Sequence, residues 1–400
     1  MWGAAPTRGV LSALFAAVFL AALAVAVASP APAAAARPPA LHVAKNGSDR
    51  GVCTRSRPCQ SFQRAYRVAR LGQVVIVHGG LYGRQTIPYD RRKRSSKDVS
   101  FRPASGAHVV VSVLTVGGRH VELRSIRTAL WRTLGTAVDV TLRSVSTSRF
   151  EIQGSKHVMV LGGSAGPASD YLNVIAPASP GARQGPSAIT LDGVRIEGYA
   201  RSGPAGTIGC LDVRAASGLT IRNSRLFDCQ DFGLRLSASP NAGTPTDVLV
   251  ENNLFSCCRS GSRALLLDDA TTPAWEKVTV RNNSLSGSIE IGPAGSAAHV
   301  GVYSNVALSL SGCGLSGVVV DYNVWAAGYP CGPFDMVAPS GFADPASYDF
   351  DLSQTPPRSI TAAPTRARSG TSTDSLGPWE QRPTRAPRSR VAQGSWPPTH

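Results

Sequence analysis

The chain of 400 residues has 41 Lys and Arg against 25 Asp and Glu, a net charge of +16, and 42% hydrophobic residues. It is long enough to bury a sizeable core in one domain. Much of the basic excess lies at residues 84–102 and 356–400, and neither segment has the regular interleaving of aromatic residues that base stacking requires. We therefore expect no nucleic-acid partner, whereas the charge leaves an acidic glycan open as a ligand.

The first 36 residues have the features of a secretion signal and a spacer. Arg8 is the only charge before an apolar run at 10–28 that only Ser12 interrupts. The run ends in small residues that fit a cleavage site, and an Ala/Pro-rich spacer follows. It is also long enough to remain as a membrane anchor. We expect a secreted or cell-surface protein whose one possible membrane contact is an uncleaved run.

Residues 37–354 are predicted to form one domain that opens with a strand and a capping helix. Residues 60–70 are predicted to be helical because Phe62, Tyr66 and Ala69 recur at helical spacing. Such a helix would cover the apolar end of a stack of repeats. Residues 74–77 then form the first buried strand.

A short strand phrase recurs along this domain. Each copy alternates apolar and polar residues, which is the period of a β-strand, and the copies follow one another at steps of about 18–31 residues, which is typical of stacked repeats. Their matching apolar residues are Leu123, Leu142, Val160, Leu191, Ile221, Val250, Val280, Val302 and Val320. Because no helical pattern separates the copies, the sequence predicts an all-β, right-handed parallel β-helix.

The last five phrases end in a polar residue at the same position. These residues are Ser224, Asn253, Asn283, Asn305 and Asn323. Stacked coils would place them above one another, where side-chain amides can bond along the column and satisfy turn backbone. We predict a structural ladder rather than catalytic groups.

Eight cysteines in an exported protein imply disulfides. Cys53 pairs with Cys59 across a short loop in this prediction, and Cys313 pairs with Cys331. The pairing of Cys210, Cys229, Cys257 and Cys258 stays open. A bridge between Cys229 and Cys258 is one possibility, because they occupy equivalent places in adjacent coils. No Cys/His spacing indicates zinc.

Several segments resemble secreted proteins of the pectate-lyase-like superfamily. The start is similar in the segment HVAKNGSD at 42–49, the Cys53–Cys59 loop, the predicted helix and residues 74–82. The segments GFADPASYDFDLS at 341–353 and LGPWEQ at 376–381 look like closing motifs of such chains. The resemblance covers residues 41–381 and implies the β-helix fold. It does not select an activity, because this superfamily contains lyases, hydrolases, isomerases and adhesins.

A second strand follows the Asn turn in each long coil, at 210–214, 233–237, 264–268 and 288–292. Aligned as rungs, these strands present two outward columns. The columns are Asp212, Arg235, Leu266 and Glu290, and beside them Arg214, Ser237, Asp268 and Gly292. Arg263 and Asp269 lie at the ends of this strip, which we name the Asp/Arg strip and expect to be open to solvent.

Three functions are compatible with the Asp/Arg strip. As a lyase, Arg235 or Arg214 would serve as the base, with Asp212, Asp268 and Asp269 nearby; the resemblance implies that calcium would then be the cofactor, although this cluster supplies only part of its oxygen ligands. As a hydrolase, Asp268 and Glu290 would lie about 8 Å apart, inside the roughly 6.5–9.5 Å range of inverting glycosidases.

The third function is non-catalytic. The polygalacturonase residue constellation and a pectate-lyase Arg motif are both absent from the sequence, and Asp212 beside Arg235 is also an ordinary cross-strand pair. We therefore expect first a monomer that binds extracellular polysaccharide along the solenoid face, with an enzyme and a structural or adhesion module of the cell envelope as alternatives. Residues 164–187 are predicted to be a projecting loop, and 355–400 a disordered Pro/Arg-rich tail.

Overall fold

The computed structural model describes residues 38–94, 96–167, 172–198, 209–256, 263–268, 275–292, 299–338, 342–344 and 349–352. The predicted signal segment and tail, with Cys257, Cys258 and Asp269, lie outside these ranges. Within them, no helix combines the length and apolar character needed to cross a membrane.

The predicted parallel β-helix is confirmed by a sheet of twelve parallel strands, which we name the first sheet. Each of its strands pairs with the corresponding strand of the next coil, because one coil alone leaves its apolar face uncovered. The strands are Leu41–Val43, Val74–Val77, Val99–Pro103, Arg119–Arg124, Val138–Arg143, Lys156–Leu161, Ser187–Asp192, Ser217–Arg222, Thr246–Glu251, Glu276–Arg281, Val300–Tyr303 and Val318–Asp321.

The remaining parallel strands form two further stacks. The second stack contains Gly80–Tyr82, Ser164–Ala165, Arg195–Glu197, Arg225–Phe227, Leu254–Ser256, Ser284–Leu285, Val306–Ala307, Val324–Trp325 and Met336–Val337. The third stack contains Gln85–Ile87, Asn173–Ala176, Gly209–Arg214, Phe232–Ser237, Arg263–Leu267, Ser288–Ile291 and Leu310–Ser311. Three long strands, Val109–Val116, Arg127–Thr133 and Ser146–Gln153, run through both stacks. Phe342–Asp344 pairs antiparallel with Asp349–Leu352.

The predicted register is confirmed along the first sheet. The apolar residues matched in sequence are direct partners from Leu123 to Val320. All nine lie in the buried core. Burial of one branched side chain per coil at this position contributes about 1.5–3 kcal/mol each, so a coil shifted by one residue would expose its share of the core.

The Asn ladder is also confirmed. Each backbone N–H from Ser224 to Asn305 donates to the side-chain oxygen of the next rung's Asn at 2.9–3.0 Å. The N–H of Asn323 donates to Asp335 Oδ1 at 2.8 Å. All five ladder side chains are nearly or fully buried. The ladder therefore satisfies turn backbone that would otherwise be buried without partners.

The capping helix is confirmed but shorter than predicted, and spans Phe62–Val68. It begins late because Asp49 holds the N–H groups of Gln60 and Ser61, while the Ser61 hydroxyl caps the helix by accepting from the Arg64 N–H. It ends early because Ala69 has extended backbone, with ψ at 141°. Phe62, Ala65 and Tyr66 close the core end.

Three disulfides join described cysteines. The predicted pairs Cys53–Cys59 and Cys313–Cys331 are confirmed. The possible bridge from Cys229 to Cys258 is wrong, because Cys229 pairs with Cys210. Cys229 follows the second-stack strand that ends at Phe227, and the turn after it brings its Cα to 5.2 Å from that of Cys210 in the preceding coil.

Candidate functional site

The Asp/Arg strip has the predicted alignment. Asp212 pairs in register with Arg235, Arg235 with Leu266, and Leu266 with Glu290. Arg214 is the partner of Ser237 in the neighbouring column. The third stack therefore brings together Asp212, Arg214, Arg235, Asp268, Arg263 and Glu290, as expected from the sequence.

Asp212 is buried rather than open to solvent. Its side chain is 0% exposed, because two arginines close over it. Arg214 approaches Oδ2 to 2.7 Å through both Nε and Nη2, and Arg235 reaches Oδ1 and Oδ2 at 3.0 Å each. The Ser237 hydroxyl donates at 3.3 Å. The carboxylate is thus fully bonded, and it fixes two guanidiniums side by side.

Arg235 is held from two sides. Its guanidinium lies 4.8 Å from the ring centroid of Phe232, a cation–π distance. Hydrogen bonds to Asp212 raise the pKa of Arg235 above its usual value. Its guanidinium therefore stays protonated, which suits charge neutralisation and opposes proton abstraction.

The other predicted residues form more exposed pairs at the edge of this cluster. Arg235 Nη1 lies 3.9 Å from Asp268 Oδ2, and Arg263 Nε lies 3.0 Å from Glu290 Oε2. Asp268 and Glu290 are 44% and 38% exposed, so both carboxylates face solvent. Asp268 and Glu290 lie on adjacent rungs, offset by two residues along the strand. The distance of about 8 Å expected between their carboxylates stays a prediction.

The strip continues into a segment that was expected to be only a loop. Asn173–Ala176, inside the predicted loop 164–187, forms a third-stack rung, and Val174 is the partner of Asp212. Below it lies Glu151, which pairs with Arg149 at 2.8 Å. The loop prediction failed here because Pro, Ala, Gly and Ser surround a four-residue strand with little alternation.

The described residues do not fit calcium. They contain no group of three or more His, Cys, Asp or Glu side chains arranged to hold a metal ion. In the Asp/Arg strip, guanidiniums already occupy both oxygens of Asp212, and calcium needs six to eight oxygen ligands.

The structure also reveals a polar column on the first sheet that sequence reasoning did not identify. In register order it contains Asp98, His120, Asp139, His157, Ala188, Gly218, Asp247, Lys277 and His299. From His120 to Lys277 each φ lies between 51° and 63°, a left-handed conformation that interrupts the regular alternation of a strand. We name it the first-sheet column.

A signal for this column was present in the sequence. His120, Asp139 and His157 each stand three residues before a matched apolar position, so they share one rung position. The structure places His157 within the strand Lys156–Leu161. Strand alternation alone does not predict which face such a left-handed residue occupies.

The chain matches no family model and no curated protein. It is similar to several solved structures. A rhamnogalacturonan lyase is 12% identical, with a TM-score of 0.43 over 76% of this chain and 91% of the other. PfbA, a surface adhesin of Streptococcus pneumoniae, is 13% identical, with a TM-score of 0.44 over 64% and 77%. Pectate lyase Pel9A is 14% identical, with a TM-score of 0.41 over 77% and 83%.

At these identities and TM-scores the likenesses select no activity. The sheet topology of the chain itself establishes the parallel β-helix. In fold, the chain therefore agrees with the superfamily that its opening and closing segments resemble.

Proposed function

We propose that this is an exported protein whose Asp/Arg strip binds an acidic extracellular polysaccharide. The observation that carries the proposal is the pair of guanidiniums, Arg214 and Arg235, held by one buried carboxylate. The inner cluster of Arg214, Arg235 and Asp212 carries one net positive charge, and Asp268 lies 3.9 Å from Arg235 at its solvent edge. The three disulfides among the described residues fit an oxidising compartment.

The geometry favours a carboxylate ligand. Asp212 engages two nitrogens of each guanidinium, so each arginine retains N–H groups for a ligand. Planar guanidiniums match carboxylates bidentately. Because Asp212 and Phe232 fix Arg235 in advance, little side-chain entropy is lost when a ligand binds.

The exposed carboxylates support a second candidate function, that of a hydrolase. Asp268 and Glu290 are the pair that a hydrolase would use, one as acid and one as base. Arg235 and Arg263 contact these two carboxylates, so a sugar must displace an arginine to reach either of them. A lyase reaction is disfavoured by the protonated state of Arg235. The structural or adhesion role remains the outcome if neither binding nor cleavage occurs.

The test is binding of the mature protein to polygalacturonate and alginate by calorimetry, with Arg214→Gln as the variant. The matched control is Arg222→Gln, because Arg222 is equally exposed and pairs with one aspartate on the first sheet. We expect Arg214→Gln to weaken binding about tenfold or more and the control to change it little.

Unsaturated ends and new reducing ends are followed in the same samples. If the parent protein produces new reducing ends and Asp268→Ala or Glu290→Ala does not, the protein is a hydrolase and the binding proposal is replaced. Equal binding by the two arginine variants, or no binding to either polymer, would refute the binding proposal.

A further inference from the structure

A groove lies on the first sheet, away from the Asp/Arg strip. Its volume is about 520 Å³, within the roughly 300–1,000 Å³ of small-ligand sites. Asp98, His120, Asp139 and His157 line it on one side, and Ala188 and Gly218 continue the same column. Within the groove the column changes from large polar residues to these two small ones.

The column resumes beyond the groove. Asp247 and Lys277 form an ion pair at 3.2 Å on the following rungs. Between His157 and Asp247 there are three rung spacings, or about 14 Å. An opening of this length accommodates a few units of a linear chain that lies along the solenoid axis.

The polar wall is pre-arranged for hydroxyl groups. Asp139 lies between two imidazoles: Nδ1 of His157 donates to Oδ1 at 2.9 Å, and Nδ1 of His120 lies 3.4 Å from Oδ2. In a neutral imidazole this bond places the proton on Nδ1 and leaves Nε2 as an acceptor, and in an imidazolium Nε2 is a donor, so either form can bond a hydroxyl group. The His157 side chain is 62% exposed, so a ligand can reach that nitrogen.

The floor combines one apolar side chain with hydroxyls. Met159 is 41% exposed, which is uncommon for a methionine in a sheet, and Thr141 and Thr190 flank it on the adjacent rungs. A pyranose ring has the complementary surface, with an apolar C–H face and a rim of hydroxyl groups. Apolar floors with a few convergent polar groups are typical of ligand sites.

The charged residues that line the groove favour a neutral ligand over an acidic one. Asp98 and Asp139 face it without a permanent cation among its lining residues. Burial, and then the nearby carboxylate of Glu122, raise the pKa of Asp98, whereas His120 and Arg143 act in the opposite direction. A uronate would be repelled here.

We propose that this groove is a second glycan site, which binds neutral sugar units on Met159 through hydrogen bonds to His157 and Asp139. It lies on a different sheet from the Asp/Arg strip, and its ligand is neutral rather than acidic. Together the two sites would let one solenoid hold two kinds of glycan.

The test fills the groove with a side chain that the column already accepts. Ala188→His places an imidazole at φ 53°, the conformation that His120 and His157 adopt. Lys277→His is the matched control, since it adds the same side chain to the same column outside the groove. Binding of cellohexaose, laminarihexaose, maltohexaose and mannohexaose is measured by calorimetry, with hexagalacturonic acid as the acidic comparison.

We expect at least one neutral hexasaccharide to bind, Ala188→His and His157→Ala to weaken it about tenfold or more, and Lys277→His to leave it unchanged. Arg214→Gln should also leave it unchanged, which separates this result from the fate of the first proposal. If Ala188→His does not fold, Gly218→Asn replaces it: an added Cβ there meets its nearest atom at 3.5 Å, and Asn tolerates the left-handed backbone.

No binding of any neutral hexasaccharide would overturn the proposal, as would equal affinity in the filled and control variants. Preferential binding of hexagalacturonic acid that Ala188→His abolishes would overturn the assigned ligand class.

Discussion

Removing the carboxylate of Asp212 should destabilise the protein far more than removing an ordinary surface carboxylate. Asp212 is fully buried, and Arg235, whose side chain is 18% exposed, depends on it for both of its short ion-pair contacts. Loss of one partner from a buried pair typically costs about 3–5 kcal/mol. Arg214 is 47% exposed and can be rehydrated. We therefore expect about 3 kcal/mol for Asp212→Ala.

The comparison variant is Asp192→Ala. Asp192 and Arg222 are also register partners on adjacent rungs, but this pair lies on the more exposed first sheet, with side chains 24% and 45% exposed. Exposed pairs contribute up to about 1 kcal/mol. Urea unfolding followed by circular dichroism gives both free energies. In the double variant Asp212→Leu/Arg235→Met, which removes both charges, part of the loss should be recovered.

A difference below about 0.5 kcal/mol between Asp212→Ala and Asp192→Ala would refute the reasoning, because it would lie within the spread of surface substitutions. Asp212 would then be an ordinary cross-strand partner, and the fixed arginine pair would lose its physical basis.

Three other predictions concern the core and its caps. Asn283→Ala should lower the free energy of unfolding by about 1–3 kcal/mol, measured in urea, because the buried N–H of Asn253 loses its acceptor. Burial raises the pKa of Tyr66 to about 12, above the unfolded value near 10, so its contribution to stability is complete below about pH 10 and is lost as the pH rises towards 12. Ultraviolet titration should show a phenol that ionises near the upper end of this window in the parent and is missing in Tyr66→Phe, and identical curves would contradict this. The double variant Cys210→Ser/Cys229→Ser should lose about 3 kcal/mol of stability for a bridge that spans 19 residues, and the parent protein treated with a reductant should lose no less.

The fold and the alignment of the third stack were predictable because one coil is one copy of a short pattern. Val250 and Asn253 repeat as a unit, and matching such units fixes the register of whole strands. The same alignment correctly placed Asp212 beside Arg235. Strand alternation also predicts that Asp212 points outward.

Burial of Asp212 was not predictable from alternation. It results from two long side chains, Arg214 two residues later and Arg235 one coil later, that fold back over the carboxylate. The Cys210–Cys229 bridge likewise depends on the path of a turn, and the first-sheet column on a left-handed residue in each strand. These features depend on turn geometry and side-chain conformation, which a repeat pattern does not encode.

The Asn ladder gives the solenoid a direction and a defined end. Each rung's amide accepts from the rung before it, and the last acceptor is Asp335, whose other oxygen holds the indole N–H of Trp325 and the backbone of Gly332. An additional coil inserted among the Asn-bearing coils would find an acceptor above and a donor below. A coil added after Asp335 would find neither. Duplication among the Asn-bearing coils would therefore preserve the ladder, provided that the coil that carries Asp335 stays last.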